Sequence, residues 1–502
     1  AYYLAIFAMV FGSTFGTFNA ANAAALVLGE NSANGNNGIN ANGTPATLNV
    51  AGADTVNVAD FDLVITNVED SATALIIGAI TGTATNNDTT PELAIVFDED
   101  AAAVAQLVTI ASVEFTADND TAGLIDIDAG DAAGTSGTIT FTGDVDTGIF
   151  GSTRGIMDID MANSSATTPR LTVEYGGNVS ANTTINQNAE LISLTTNGAA
   201  AATWTGLINS NGGDGEGTLN IQGTGGITFA SAVGKAGSGS LLLVNIDQAA
   251  TFDGAVEATN FTVDADSTFT GAVTANTAFT VAGATTDVTI TAASALGTLT
   301  ATAGTITANG LLTTVATVNT AGKLYLNVAE NEMGVGKYTA GDGAELHVGK
   351  AFVTTNNIFL SDVSAGEGDF HSGSKIYLPS NLTSGETLKI TDAGAFDQGD
   401  ASKTAVTTAA AVQVTLQDTA LVDYSASAAS AGATVITITA VDRTESVIAT
   451  QLGVTSDTVK ATLQLMTAMD ANDTSGDTAA YDAFDNALNA RGFTATEDTA
   501  FV

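Results

Sequence analysis

Hydrophobic residues in this chain come in short alternating bursts, with Thr, Ala, Asn or Asp between them. Leu48-Asn-Val50, Val56-Asn-Val58, Leu63–Val68 and Leu75–Ile77 open the series, and Leu93–Phe97, Val108–Phe115, Leu124–Ile127 and Thr138–Val145 continue it. Gly, Asn and Asp fall between the bursts, where tight corners need them. A period of two predicts strands with one buried face, and the spacing predicts many of them. The clearest signal is an internal echo. Thr251-Phe-Asp-Gly-Ala-Val256 returns as Thr268-Phe-Thr-Gly-Ala-Val273, so Phe252, Gly254 and Val256 map onto Phe269, Gly271 and Val273. Phe261 then maps onto Phe279 with one residue inserted. A repeat of 17–18 residues with this texture predicts one coil of a β-solenoid. Each coil of such a fold buries its apolar face only by stacking on the next. An array of two-sheet β-sandwiches is the alternative that short strands and turns also allow.

The two ends read differently. Tyr2–Phe11 is an apolar run, and Ala21-Asn-Ala23 follows it as a cleavage-type site, which predicts a secretory signal peptide over 1–23 without its charged first residues. A buried helix or a membrane anchor is the other reading of that run. A polar, Asn- and Gly-rich leader occupies 24–46, and the solenoid is expected over 47–443. From 444 the period changes to that of a helix, and 444–502 reads as a helical cap or linker. Val447, Ile448 and Leu452 share one stripe that stops at Gly453. Ser456 is the expected N-cap of a second helix carrying Val459, Leu463 and Met466, and Tyr481, Phe484 and Leu488 form a third stripe.

Composition fits frequent corners and unbroken strands, with 53 Gly and only 4 Pro in 502 residues. Charge narrows the partners. There are 54 acidic and 12 basic residues, a net charge of -42, and no Lys or Arg before Arg154. Nucleic acid needs clustered cations, and so does an anionic membrane face, so neither is expected as a partner. The negative field favours solubility and divalent cations. Cysteine is absent, so no disulfide framework holds the fold.

Catalytic patterns are scarce. The two histidines, His347 in an alternating strand and His371 in a loop, read as surface residues, and no nucleophile elbow or phosphate-binding loop is present. Carboxylate pairs are frequent: Asp98-Glu99-Asp100, Asp118 and Asp120, Asp126 and Asp128, Asp144 and Asp146. An i, i+2 pair on a strand points to one side, where it repels itself or binds a cation. Asp118, Asp120, Asp126 and Asp128 form the best calcium candidate. Asp118, Asp120, Gly123 and Asp126 fit part of an EF-hand loop, but Ala122 and Ala129 stand where ligands belong. The Asp470–Asp473 stretch fits less well, since Ser475 replaces the turn Gly. Calcium is the one cofactor expected, and none is required.

Several motifs resemble those of autotransporter passenger domains, in particular surface-layer adhesins of the rickettsial outer-membrane-protein-B type. They are Trp204-Thr-Gly-Leu-Ile208, Gly226-Ile-Thr-Phe229, Thr251–Val256, Ser372–Tyr377, Gly385–Ile390, Asp418–Tyr424, Val435–Ala440 and Ile448–Gly453. The resemblance covers roughly 200–490. It implies a right-handed parallel β-helix, exported across both membranes of a diderm bacterium by a C-terminal β-barrel that would follow Val502. It also implies display at the cell surface as an adhesin or surface-layer subunit, without catalysis. Its partners would be a receptor on a host or neighbouring cell, or further copies in a lattice. The membrane would be met only through that barrel. The rival expectation is a secreted polysaccharide lyase or hydrolase, with convergent Asp and a Lys or Arg in a cleft.

Overall fold

The computed structural model describes residues 26–27, 36–40, 56–57, 62–68, 75–83, 92–97, 106–116, 122–129, 137–161, 171–186, 192–210, 214–234, 239–328, 332–335, 338–341, 343–349, 358–360, 368–370, 375–377, 385, 387–391, 396–397, 414–417, 421–428, 435–470, 483, 487 and 497–500. The protein is an all-β parallel solenoid with a short helical segment near its C-terminal end. It divides into two compact units, Ala1–Asn186 and Gln187–Val502. The 1–46 signal and leader expectations fall almost wholly outside the described residues, as does the third helical stripe at Tyr481, Phe484 and Leu488.

In the first unit, strands Glu92–Phe97, Leu124–Ala129 and Ile156–Met161 lie side by side in parallel, with Ile95, Ile127 and Ile159 in one rank. Gln106–Thr116, Gly137–Phe141 and Leu171–Tyr175 form another ladder, in which Ile110 meets Phe141 and Phe141 meets Tyr175. Alternation does the sorting. Ile125, Ile127, Met157 and Ile159 are fully buried, while their odd-even neighbours face out. Stacking equivalent positions brings the Phe141 and Tyr175 rings to 5.5 Å, nearly coplanar at 10°. Residues in one rank here are 32 apart in sequence, as from Ile95 to Ile127 and from Ile127 to Ile159.

The second unit has tighter coils. Strands Ala202–Trp204, Ile227–Phe229, Ala250–Phe252, Ser267–Phe269, Asp287–Ile290, Thr305–Ala308, Lys323–Leu326 and Glu345–Val348 pair in sequence as one parallel ladder. The sequence echo is the coil repeat itself: Phe252 pairs with Phe269, Val256 with Val273 and Phe261 with Phe279. The extra residue before Phe279 is taken up as a bulge between Ala275 and Ala278, opposite the single Thr259, which keeps both flanking registers in phase. Inside, Trp204, Phe229, Phe252 and Phe269 form a ring stack with centroids 6.1, 4.8 and 4.9 Å apart. The last two distances match the spacing between rungs, about 4.8 Å. Phe269 also touches Phe261 and Phe279 edge-on, at 6.3 and 5.8 Å, and so joins the stacks of two faces. A polar link sits lower in the core. Asn319 is fully buried, and it donates to the Tyr338 hydroxyl and the Glu345 carbonyl while accepting from the Gly322 N–H.

Parallel stacking stops at an antiparallel hairpin. Val422–Ala428 and Val435–Asp442 pair with each other, and the second strand pairs antiparallel with Thr387–Thr391. This end of the region expected as solenoid is therefore a hairpin laid on a coil strand. Two helices follow, α1 (Glu445–Leu452) and α2 (Ser456–Asp470). Gly453 ends α1 in the left-handed region at φ 66°, as its position in the sequence predicts. The second cap differs from expectation. Ser456 is the first helical residue, and Thr455 Oγ1 accepts the Thr458 N–H at 3.3 Å. Ile448, Ala449 and Val459 form a small core with Leu421, against which Leu452 and Leu463 also pack. The helices thus dock beside the hairpin, and the hairpin covers the coil strand.

Candidate functional site

Three outward clusters stand out, and each arises because the solenoid aligns residues remote in sequence. The first contains half of the expected calcium set. Asp126 and Asp128 sit on Leu124–Ala129 with their side chains outward, because Ile125 and Ile127 take the interior. The neighbouring strand sets Asp158 beside Asp126 and Asp160 beside Asp128. Four carboxylates therefore occupy adjacent positions on two strands. Burial pushes the Asp126 carboxyl above its ordinary value, with Asp158 and Asp160 adding repulsion. Burial raises Asp128 too, with Asp126 and Asp160 behind it. Asp118 and Asp120 lie outside the described residues, so the structure brings together only Asp126 and Asp128 of the four. Among the described residues no group of three or more His, Asp or Glu is disposed to hold a metal ion.

The sign of this repulsion is testable. A carboxyl whose folded value lies above its unfolded 3.8 stabilises the fold while protonated, and that contribution is lost as pH rises through the folded value. Asp126→Asn and Asp128→Asn should therefore raise stability at pH 7. The gain is expected to be a few tenths to about 1 kcal/mol, since both groups are partly exposed and screened. The advantage over the parent should shrink as pH falls toward 4. Melting curves of parent and variants from pH 4 to 7 check this, and equal destabilisation across that range would contradict it.

The other acidic pairs have structural duties. Asp144 Oδ1 accepts from the Asn178 backbone N–H at 2.8 Å and from Asn178 Nδ2 at 3.2 Å. Asp146 Oδ1 accepts from the Gly148 N–H at 2.9 Å. Asp98–Asp100 and His371 lie outside the described residues.

The second cluster surrounds His347. Its ring is held between Tyr325 and Tyr377, at 4.0 and 4.4 Å and nearly coplanar with both. His347 Nε2 lies 2.9 Å from Glu345 Oε2, and Lys323 Nζ lies 3.3 Å from the same oxygen. A carboxylate only accepts, so Nε2 carries the proton. Burial pulls the imidazole below its ordinary value, and Glu345 opposes this. For Glu345 itself burial acts upward, but His347 and Lys323 outweigh it and leave the carboxyl below its usual range. The sequence reading of His347 as a plain surface residue missed this sandwich, because its partners are 22 and 30 positions away.

The third cluster is a row of hydroxyls. Thr203, Thr228, Thr251, Thr268, Thr289 and Thr307 occupy one outward rank on consecutive rungs, and Tyr325, His347 and Tyr377 continue the same rank. Beside the row runs a groove of about 470 Å³. Its small walls are Ala201, Gly226 and Ala249, and Asp266 and Asp287 stand at one end. The motif repeated in the sequence carries this row, since Thr251 and Thr268 precede the two inward Phe residues.

Comparison with known protein families, with curated proteins and with solved structures gives no match.

Proposed function

We propose that the chain is the passenger of an autotransporter, of the type represented by rickettsial outer membrane protein B. In this reading it is exported through both membranes and displayed at the cell surface. It works there as an adhesin or surface-layer subunit, without catalysis. The observation that supports this reading is the coil flank of the second unit. Its outward ranks present the same small hydroxyl side chain rung after rung, a surface suited to repeated weak contacts rather than to one reacting centre. The family-like motifs at the end fall on the terminal hairpin and α1, which is where a passenger would close before its translocator.

Shaving intact cells with a protease tests the proposal. Solenoid fragments should appear in the medium while a cytoplasmic marker stays whole. A chain that survives untouched until the cells are lysed would overturn the surface reading.

A further inference from the structure

We propose that the threonine rank and groove of the second unit bind an extended, neutral glycan chain. This names a ligand class for the adhesin reading and rests on it.

The shape is linear. Thr203, Thr228, Thr251, Thr268 and Thr289 repeat at the rung spacing of about 4.8 Å, so hydroxyls recur at a fixed interval along the groove. A polymer with its own regular hydroxyl repeat can use several of them at once, whereas a compact ligand would use one or two. Each threonine hydroxyl both donates and accepts, as each sugar hydroxyl does. Ala201, Gly226 and Ala249 leave room beside the row because the first and last carry only a methyl group and Gly226 none.

Charge selects among polymers. No Lys, Arg or His lines the groove, while Asp266 and Asp287 do, and the whole chain carries -42. Uronic or sulfated glycans would be repelled. The Asp266 carboxylate is oriented by the Asp287 N–H, which donates to Oδ1 at 2.9 Å, and such a group accepts well from sugar hydroxyls. A peptide is a poorer occupant. The groove lies on the face of a sheet whose backbone groups are spent on neighbouring rungs, so no strand can be added there.

The test is calorimetry of the full chain with cellohexaose, xylohexaose, maltohexaose and a hexamer of galacturonic acid. At least one neutral hexamer should bind, more tightly than its dimer or tetramer, and the acidic hexamer should not. Gly226→Tyr fills the groove. A Cβ there meets Ala249 O at 3.7 Å, an ordinary contact, so the variant should fold and lose tenfold or more in affinity. Thr251→Val removes one hydroxyl and should cost roughly two- to tenfold. Thr251→Val also keeps the test open if Gly226→Tyr fails to fold. The proposal falls if no neutral hexamer binds, if the acidic hexamer binds as tightly, or if folded variants bind like the parent. Surface shedding without glycan binding would remove this inference alone. Glycan binding by a chain shielded inside cells would remove the surface reading alone.

Discussion

Phe269→Ala should lower stability by about 3–5 kcal/mol, the usual loss for a fully buried Phe. Phe269 has no exposed surface and touches three rings: Phe252 face-on at 4.9 Å, and Phe261 and Phe279 edge-on. Such ring contacts add about 0.5–1.5 kcal/mol per pair beyond area burial, and truncation removes all three. The cavity cannot close easily, because rungs above and below fix the backbone at the strand spacing. Stability in a stacked fold is held between neighbours, so the damage should be local. Hydrogen exchange should quicken in 250–290 well before it does near the terminal hairpin. Thr268→Ala, one residue away and exposed, should stay within about 0.5 kcal/mol of the parent. Equal losses for the two variants would refute the assignment of Phe269 to the core.

Gly271→Ala should be nearly as damaging, although it adds a single methyl group. A Cβ on Gly271 would lie 2.2 Å from the Gly254 carbonyl oxygen and 2.3 Å from its carbon. Both atoms belong to the backbone of the adjacent coil, which cannot step aside as a side chain would. The cost should be about 3 kcal/mol, at the upper end for overpacking. Gly226→Ala is the control, since its Cβ would meet nothing closer than 3.7 Å. Thermal melts of the two variants should differ clearly. Similar melting would mean that the Gly254–Gly271 corner relaxes.

These two residues also explain why the fold was readable where it was. Phe252, Phe269, Gly254 and Gly271 recur because stacked coils place the same demand on the same rung position, and that demand shows in the sequence as an echo. In the first unit the demand is equally strict in space, but Ile95, Ile127 and Ile159 are 32 residues apart and any β-branched residue satisfies it. Wide sequence spacing and interchangeable aliphatics leave little pattern to find. The helical end was legible down to Gly453. One step later Thr455 took the capping role from Ser456, a choice between adjacent hydroxyls that propensity cannot make. The antiparallel hairpin was invisible, because alternation marks a strand without giving its direction.

The candidate surfaces were legible only in part, for the same reason. Asp126 and Asp128 could be paired from their spacing, since a strand sends i and i+2 to one side. Asp158 and Asp160 join them only through register, and nothing local announces it. His347 likewise gains Tyr325 and Tyr377 from neighbouring coils. The threonine row was on view as part of the alternating texture. Its alignment with Ala201, Gly226 and Ala249 along a groove needed the coil lengths to be known.

Coil length itself has a practical meaning. Trp204 and Phe229 are 25 residues apart, and Phe252 and Phe269 only 17, yet each pair occupies consecutive rungs of one ladder. Eight more residues separate the first pair than the second, yet both pairs keep the same strand register. Corners of this kind are natural grafting points: a foreign epitope, enzyme-recognition tag or fluorophore site set there would be presented outward at a height fixed by the rung it interrupts. The second unit is thus a ruler with marks at rung intervals, along which cargo positions can be chosen by counting.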